Sequence, residues 1–273
     1  MKPVAILTDV TRCTGCEKCV AACKREYDLG PDRPWRQKGA IDDLSSTRLT
    51  TILNRPGGHH VRKHCRHCDD PACVSACLVG AMQKTPEGPV IYNPKKCMGC
   101  RYCMMACPYG IPRYDWNRPV PYIRKCPMCY DRIQAGGQPA CTEICPEKAT
   151  IFGSREELLA LAHERIKAEP TKYLQHVYGE TEVGGMSVLY ISDIPLDFLS
   201  GKSVLSETPL PELTYAALSK APGTVVAAAG LLTGVYWLIG RRMRLQELEA
   251  AAAERTHREV PADESKKTRE ADE

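Results

Sequence analysis

Phe and Trp are scarce. The 273 residues include two Phe and three Trp, so a core built on stacked large rings is excluded. Excess charge of one sign is also lacking. The 37 basic and 33 acidic residues leave a formal net charge of +4, which argues against nucleic acid as the main partner and leaves room only for a basic docking face. The opening residues MKPVAILTDV hold neither a long apolar stretch nor a twin-arginine signal, and a cysteine motif begins at Cys13; no signal peptide is expected. No Gly-rich phosphate loop, paired carboxylates or Ser/His/Asp order points to hydrolysis. What the chain does have is cysteine (16), proline (21) and glycine (20). That mixture predicts a loop-rich body held by staples, either disulfides or metal.

The cysteines fall into four groups of four. Cys13, Cys16, Cys19 and Cys23 are spaced C-x2-C-x2-C-x3-C. Cys65, Cys68, Cys73 and Cys77 are spaced C-x2-C-x4-C-x3-C. Cys97, Cys100, Cys103 and Cys107 repeat the first spacing, with Pro108 following. Cys126, Cys129, Cys141 and Cys145 carry an 11-residue interval before the third cysteine, with Pro146 following. Disulfides need an even count but not such triplets. Zinc takes two separated pairs, usually C-x2-C twice. Three closely spaced thiolates suit a [4Fe–4S] cubane, and the fourth cysteine of each group then ligates the other cluster of a pair.

Crossed ligation organises the chain as follows. Cys65, Cys68 and Cys73 share a cluster with Cys107, and Cys97, Cys100 and Cys103 share one with Cys77. The flanking groups pair with each other: Cys13, Cys16 and Cys19 with Cys145, and Cys126, Cys129 and Cys141 with Cys23. The expected fold is α+β, with tandem bacterial-ferredoxin-like lobes, one (about 60–110) inserted in the other, over residues 1–200.

These motifs resemble a known family. TRCTGCEKCVAAC, KHCRHCDDPACVSAC, KKCMGCRYCMMACPYGIPRY, IRKCPMCYDRI, QPACTEICPEKATIFGSREELL and YGETEVGGMSVLYIS are similar to the four-cluster iron–sulfur subunits of molybdopterin oxidoreductases and membrane-bound hydrogenases. The likeness is nearest to the respiratory formate dehydrogenase and uptake [NiFe] hydrogenase branches, and it covers residues 9 to about 200. GGMSVLYISDIPLDFL leans towards the hydrogenase branch. Leu78 stands where the family usually has Pro beside the cysteine. The resemblance implies a non-catalytic subunit with four [4Fe–4S] clusters. It would carry electrons between a catalytic hydrogenase or molybdopterin subunit and a quinone-reactive or cytochrome b membrane subunit. A catalytic cluster would need an open iron and hence a missing cysteine, yet all sixteen are present. Another molybdopterin reductase remains an alternative, and a structural zinc protein a remote one.

Outside the cysteines, RLTTIL (48–53) reads as a strand and RPGG (55–58) as a turn. HHVRKHCRHC gathers His59, His60, His64 and His67 with Arg62, Lys63 and Arg66. It is either a cationic face that docks a partner or tunes a cluster, or a solvated basic loop. Lys95, Lys96, Arg101, Arg124, Lys125 and Arg132 are either cluster-tuning cations or ordinary surface charge. SREELLALAHERIKAE (154–169) reads as a bracing helix. It has a Ser154/Glu157 capping box, an apolar face of Leu158, Leu161, Ala162 and Ile166, and a stop at Pro170. Gly184 and Gly185 precede an expected strand at 187–192.

Residues 201–220 read as a linker. APGTVVAAAGLLTGVYWLIG (221–240) then runs without a charge, and at about 1.5 Å per residue it would cross a bilayer's hydrocarbon. Tyr236 and Trp237 sit where interface anchors do, and Gly230 and Gly234 form a G-x-x-x-G pair. Arg241, Arg242 and Arg244 follow the span, so the positive-inside rule puts the tail 241–273 in the cytoplasm. The cluster domain would then be periplasmic, at the inner membrane. The resemblance implies export of the folded subunit on a signal-bearing partner. The tail is expected to begin helical and then fray.

Overall fold

The computed structural model describes residues 2–32, 42–116, 122–200 and 205–259. The chain divides into two units, Met1–Thr214 and Tyr215–Glu273.

The first unit is organised on a three-stranded sheet. Strand β1 (Val4–Asp9) is central. It pairs antiparallel with β8 (Thr150–Ser154) through Ile6↔Phe152 and parallel with β9 (Val188–Ile191) through Ile6↔Val188. Two-residue alternation gives the sheet two buried faces. Ala5, Leu7, Leu189 and Ile191 face helix α6 (Arg155–Ala168) and its buried Leu158, Ala162 and Ile166. Ile6, Val188 and Tyr190 face the main core, which also holds Val10, Cys23, Cys65 and Cys126. The brace is therefore where the apolar face predicted it. The capping box is not formed: Ser154 is the N-cap, but its side chain makes no capping hydrogen bond. Instead, Asp9 ties α6 to β1, accepting hydrogen bonds from Tyr173 Oη at 3.0 Å and Arg165 Nη1 at 3.2 Å.

Hairpin β2 (Thr51–Arg55) and β3 (His59–Lys63) pairs Ile52 with Arg62 across the strands, and Pro56–Gly58 turns between them. The strand starts later than the sequence pattern suggested, and the histidine-rich stretch continues it. HHVRKHCRHC is not a solvated loop: Arg62, Lys63, His64, Arg66 and His67 are all buried. Arg66 stacks its guanidinium on the Tyr190 and Tyr109 rings, which shelters the cation without a carboxylate.

The segment 65–114 carries hairpin β4 (Met82–Lys84) and β5 (Val90–Tyr92), with Met82 opposite Tyr92. It also carries two short helices, α2 (Ala72–Ser75) and α3 (Tyr102–Ala106). Pairing of β6 (Arg113–Tyr114) with β7 (Ile123–Arg124) closes this segment. Around it lie α1 (Lys18–Glu26), α4 (Tyr130–Gln134) and α5 (Ala140–Glu143), where Ala22, Cys129 and Ala140 pack together. The first and last cysteine groups thus meet in one lobe, and the middle two occupy the segment between them.

The stretch read as a linker contains helix α7 (Leu210–Leu218); TYAAL supplies good helix formers after its early proline. Helix α8 (Ala221–Glu259) follows. It carries the apolar run, and it belongs to a span long and apolar enough to cross a membrane. Val225, Leu231, Leu232 and Trp237 are exposed along it, as a lipid-facing helix requires. The fraying expected past residue 259 lies outside the described residues.

Candidate metal centres

The cysteine loops share a backbone device. Two residues after the first cysteine of each group the chain turns left-handed, at Gly15 (φ +69°), His67 (φ +51°), Gly99 (φ +77°) and Met128 (φ +60°). At two of these turns the amide points back at a sulfur. Gly99 N–H donates to Cys97 Sγ and Met128 N–H to Cys126 Sγ, both at 3.4 Å. The Gly15 amide bears on Cys13 in the same way. Fourth cysteines receive amides too: Ala81 and Met82 donate to Cys77 Sγ at 3.2 and 3.4 Å. Amides of Ile111, Tyr109 and Gly110 converge on Cys107. Converging N–H groups form nests for anionic sulfur.

Buried thiols of different cysteine groups lie close enough to repel one another. Burial raises Cys13, and Cys145 and Cys16 raise it further; Cys19 is raised by burial and feels Cys141 ahead of Cys13 and Cys145. Burial pushes Cys23 up to about 12, with Cys141 and Cys129 adding to it. Burial holds Cys126 well above its ordinary value, and Cys23, Cys65, Cys141 and Cys129 reinforce the shift in that order. Cys68 is raised by burial and by Cys107, Cys65 and Cys73. Burial pushes Cys103 up to about 11, and Cys77, Cys97 and Cys100 contribute. Each of these thiols thus feels cysteines of its own group and of another.

Repulsions of comparable rank also run across these groupings. Cys19 feels Cys141, Cys126 feels Cys65, and Cys73 feels Cys103.

All sixteen thiols are free. A tetrahedral zinc with Zn–S near 2.3 Å would hold its thiolates roughly 3.8 Å apart. Among the described residues no three His, Cys, Asp or Glu side chains are gathered closely enough to hold a single ion. Thiols that converge from different groups would suit a polynuclear centre, whose irons would stand between the sulfurs. Iron would also offset the burial and repulsion that disfavour thiolate here.

Some neighbours were not legible in the sequence. Tyr27 hydrogen-bonds Cys129, and Tyr92 hydrogen-bonds Cys97; only their nearness to a cysteine group hinted at this. Among the basic residues near the groups, Lys95, Lys96 and Arg101 are exposed, while Lys125 is buried. Its ammonium lies 3.9 Å from Cys65 Sγ and donates to the Val90 and Cys126 carbonyls. Arg62 lines the same cavity as Cys13, Cys16, Cys19 and Cys145. Leu78, which departs from the family pattern, is exposed and touches none of this.

Comparison with known proteins decides the family. A 4Fe-4S dicluster domain matches residues 59–155. The Hydrogenase-2 operon protein HybA of Escherichia coli O157:H7 is 35% identical, over 72% of this chain and 72% of that one. The iron-sulfur subunit of nitrate-inducible formate dehydrogenase of E. coli K12 is 36% identical, over 69% of this chain and 67% of that one. The probable anaerobic dimethyl sulfoxide reductase chain YnfG of the same strain is 43% identical, over 55% of this chain and 73% of that one. The chain belongs to the iron–sulfur subunits of oxidoreductase complexes. As a member of that family it is a ferredoxin-type [4Fe–4S] electron-transfer subunit rather than a catalytic one. Its relatives are subunits of multi-subunit oxidoreductase complexes, and among the described residues it carries one candidate membrane span.

Proposed function

We propose that this iron–sulfur subunit holds four [4Fe–4S] clusters in a row and relays electrons between a hydrogenase-type catalytic subunit and a quinone-reactive membrane subunit. The neighbour relations of the thiols support this reading. Cys13, Cys16, Cys19 and Cys145 would hold the first cluster, and Cys23, Cys126, Cys129 and Cys141 the second. Cys65, Cys68, Cys73 and Cys107 would hold the third, and Cys77, Cys97, Cys100 and Cys103 the fourth. The mutual influence of Cys19 with Cys141, Cys126 with Cys65 and Cys73 with Cys103 supports the order first, second, third, fourth.

Each bound cluster supplies one-electron redox chemistry. The chain's own part is to fix the sites, aim amides at their sulfurs and exclude water; Cys23, Cys65, Cys103, Cys126, Cys129 and Cys141 are all buried. Residues 1–200 would form the cluster domain on the periplasmic side. The apolar run 221–240 would anchor it in the inner membrane, with Arg241, Arg242 and Arg244 on the cytoplasmic side.

HybA similarity spans more of this chain than YnfG similarity does, which favours a hydrogenase partner. The high identity to YnfG keeps a molybdopterin reductase as the second reading. Anaerobic isolation of the complex from membranes, followed by identification of the co-isolating subunits and their metals, tests the choice. Nickel with a cytochrome b-type subunit is expected. Molybdenum in its place would transfer the subunit to the second reading, and a chain isolated alone in soluble form would contradict both.

A further inference from the structure

Among the described residues no carboxylate pairs with the buried guanidinium of Arg62. It is 2% exposed. Its Nε donates to Thr50 Oγ1 at 3.0 Å and its Nη1 to Thr150 Oγ1 at 3.2 Å. Both acceptors are neutral hydroxyls, which satisfy the N–H groups without cancelling the charge. The adjacent residue shows the contrast: Lys63 meets Asp42 at 2.7 Å. A buried charge that lacks a counter-ion is costly, so something at this place must supply negative charge.

The surroundings of Arg62 identify what supplies it. Its cavity wall is shared with Cys13, Cys16, Cys19 and Cys145. Burial works against its charge, but Cys141, Cys19 and Cys126 outweigh that and hold it protonated. In return Arg62 pulls down Cys13, Cys19 and Cys23. Cys13 and Cys19 belong to the first set, while Cys23, Cys126 and Cys141 belong to the second. None of the neighbours named here belongs to the third or fourth set. A four-thiolate cluster is net negative, and a nearby cation raises its potential.

We infer that Arg62 is a positioning residue shared by the first two clusters, acting as their common counter-charge and raising both reduction potentials together. This rests on the four-cluster reading above. Strand β3 carries the guanidinium from the hairpin into the space between the flanking cysteine groups, and the Thr50 and Thr150 hydroxyls fix it there. The inserted lobe is left to other cations, Lys125 foremost.

The test is a redox titration followed by EPR on the anaerobically purified full chain, unmodified and as Arg62→Met, Arg62→Gln and Arg62→Lys, with iron counted in each. The neutral variants are expected to move two of the four midpoints negative, by at least tenfold in the reduction equilibrium (about 59 mV for one electron). The other two midpoints should stay in place, and Arg62→Lys should restore most of the shift. Loss of iron from both neutral variants with full loading of Arg62→Lys also supports a required positive charge. Four unmoved midpoints in a fully loaded neutral variant would overturn the inference, as would an equal shift of all four or loss of iron from Arg62→Lys. Fewer than four titrating centres in the unmodified chain would remove the four-cluster reading itself, a result separable from the others.

Discussion

The Lys125 ammonium lies 3.9 Å from the sulfur of Cys65 while donating to the carbonyl of Cys126 at 3.0 Å. One cation thus lies against the sulfur of Cys65 and the backbone of Cys126. Removing its charge should disfavour electron arrival there. Arg62 and Lys125 would then divide the line, one serving the first two sites and the other the crossing.

Lys125→Met is expected to lower the midpoint of the third cluster by about tenfold in the reduction equilibrium, ~59 mV for one electron. EPR-monitored titration reads the shift. Transfer to a quinone analogue by the intact complex should slow, whereas dye reduction at the catalytic subunit should not. An unmoved third midpoint would show that the ammonium is only a structural tie.

Gly15→Ala should lose the first cluster selectively. Gly15 has φ +69° and an added Cβ would come within 2.6 Å of the His60 ring, while the left-handed backbone alone costs a side chain roughly 1–2 kcal/mol. Iron should fall by about a quarter, four irons per chain. Gly58→Ala, at φ +78° with nothing within 4 Å, should keep its iron.

Asp42 accepts from Lys63 Nζ and Arg113 Nη2, both at 2.7 Å. Burial alone would raise its carboxyl, but these two cations outweigh that and hold it below the ordinary range. Its stabilising contribution is therefore complete above the unfolded value near 3.9 and is lost as pH falls through the lower folded value. Asp42→Asn should cost about 3–5 kcal/mol, because Lys63 is left buried without a counter-ion. Guanidinium unfolding at pH 6 to 8 should show a constant difference; a difference that changes across that window would contradict the assignment.

Ending the chain after Lys220 removes α8 and should release the protein from membranes with its iron unchanged. Carbonate extraction and iron analysis of the pellet and supernatant check this. A truncated chain that stays in the membrane would place the anchor elsewhere.

Much of this was legible because ligand spacing is a local property. Cys13 through Cys23 and Cys97 through Cys107 declare themselves by C-x2-C-x2-C-x3-C, and the brace declared itself by Leu158, Ala162 and Ile166 on one face. The left-handed turns were half visible: Gly15 and Gly99 advertise positive φ, but His67 and Met128 adopt it without a glycine to announce it. Burial of the cations was not legible for a related reason. HHVRKHCRHC has the composition of a surface loop, and only strand pairing with Thr51–Arg55 and the sulfurs beyond it make burial of Arg62 tolerable. Composition is read residue by residue, whereas the compensating charge comes from cysteines distant in the chain.

The most direct test is the iron and acid-labile sulfide content of the anaerobically purified chain. Four cubanes predict about 16 irons and about 16 sulfides per chain, with a broad absorption near 400 nm. About half that content would contradict the four-site relay, and zinc without sulfide would contradict electron transfer altogether.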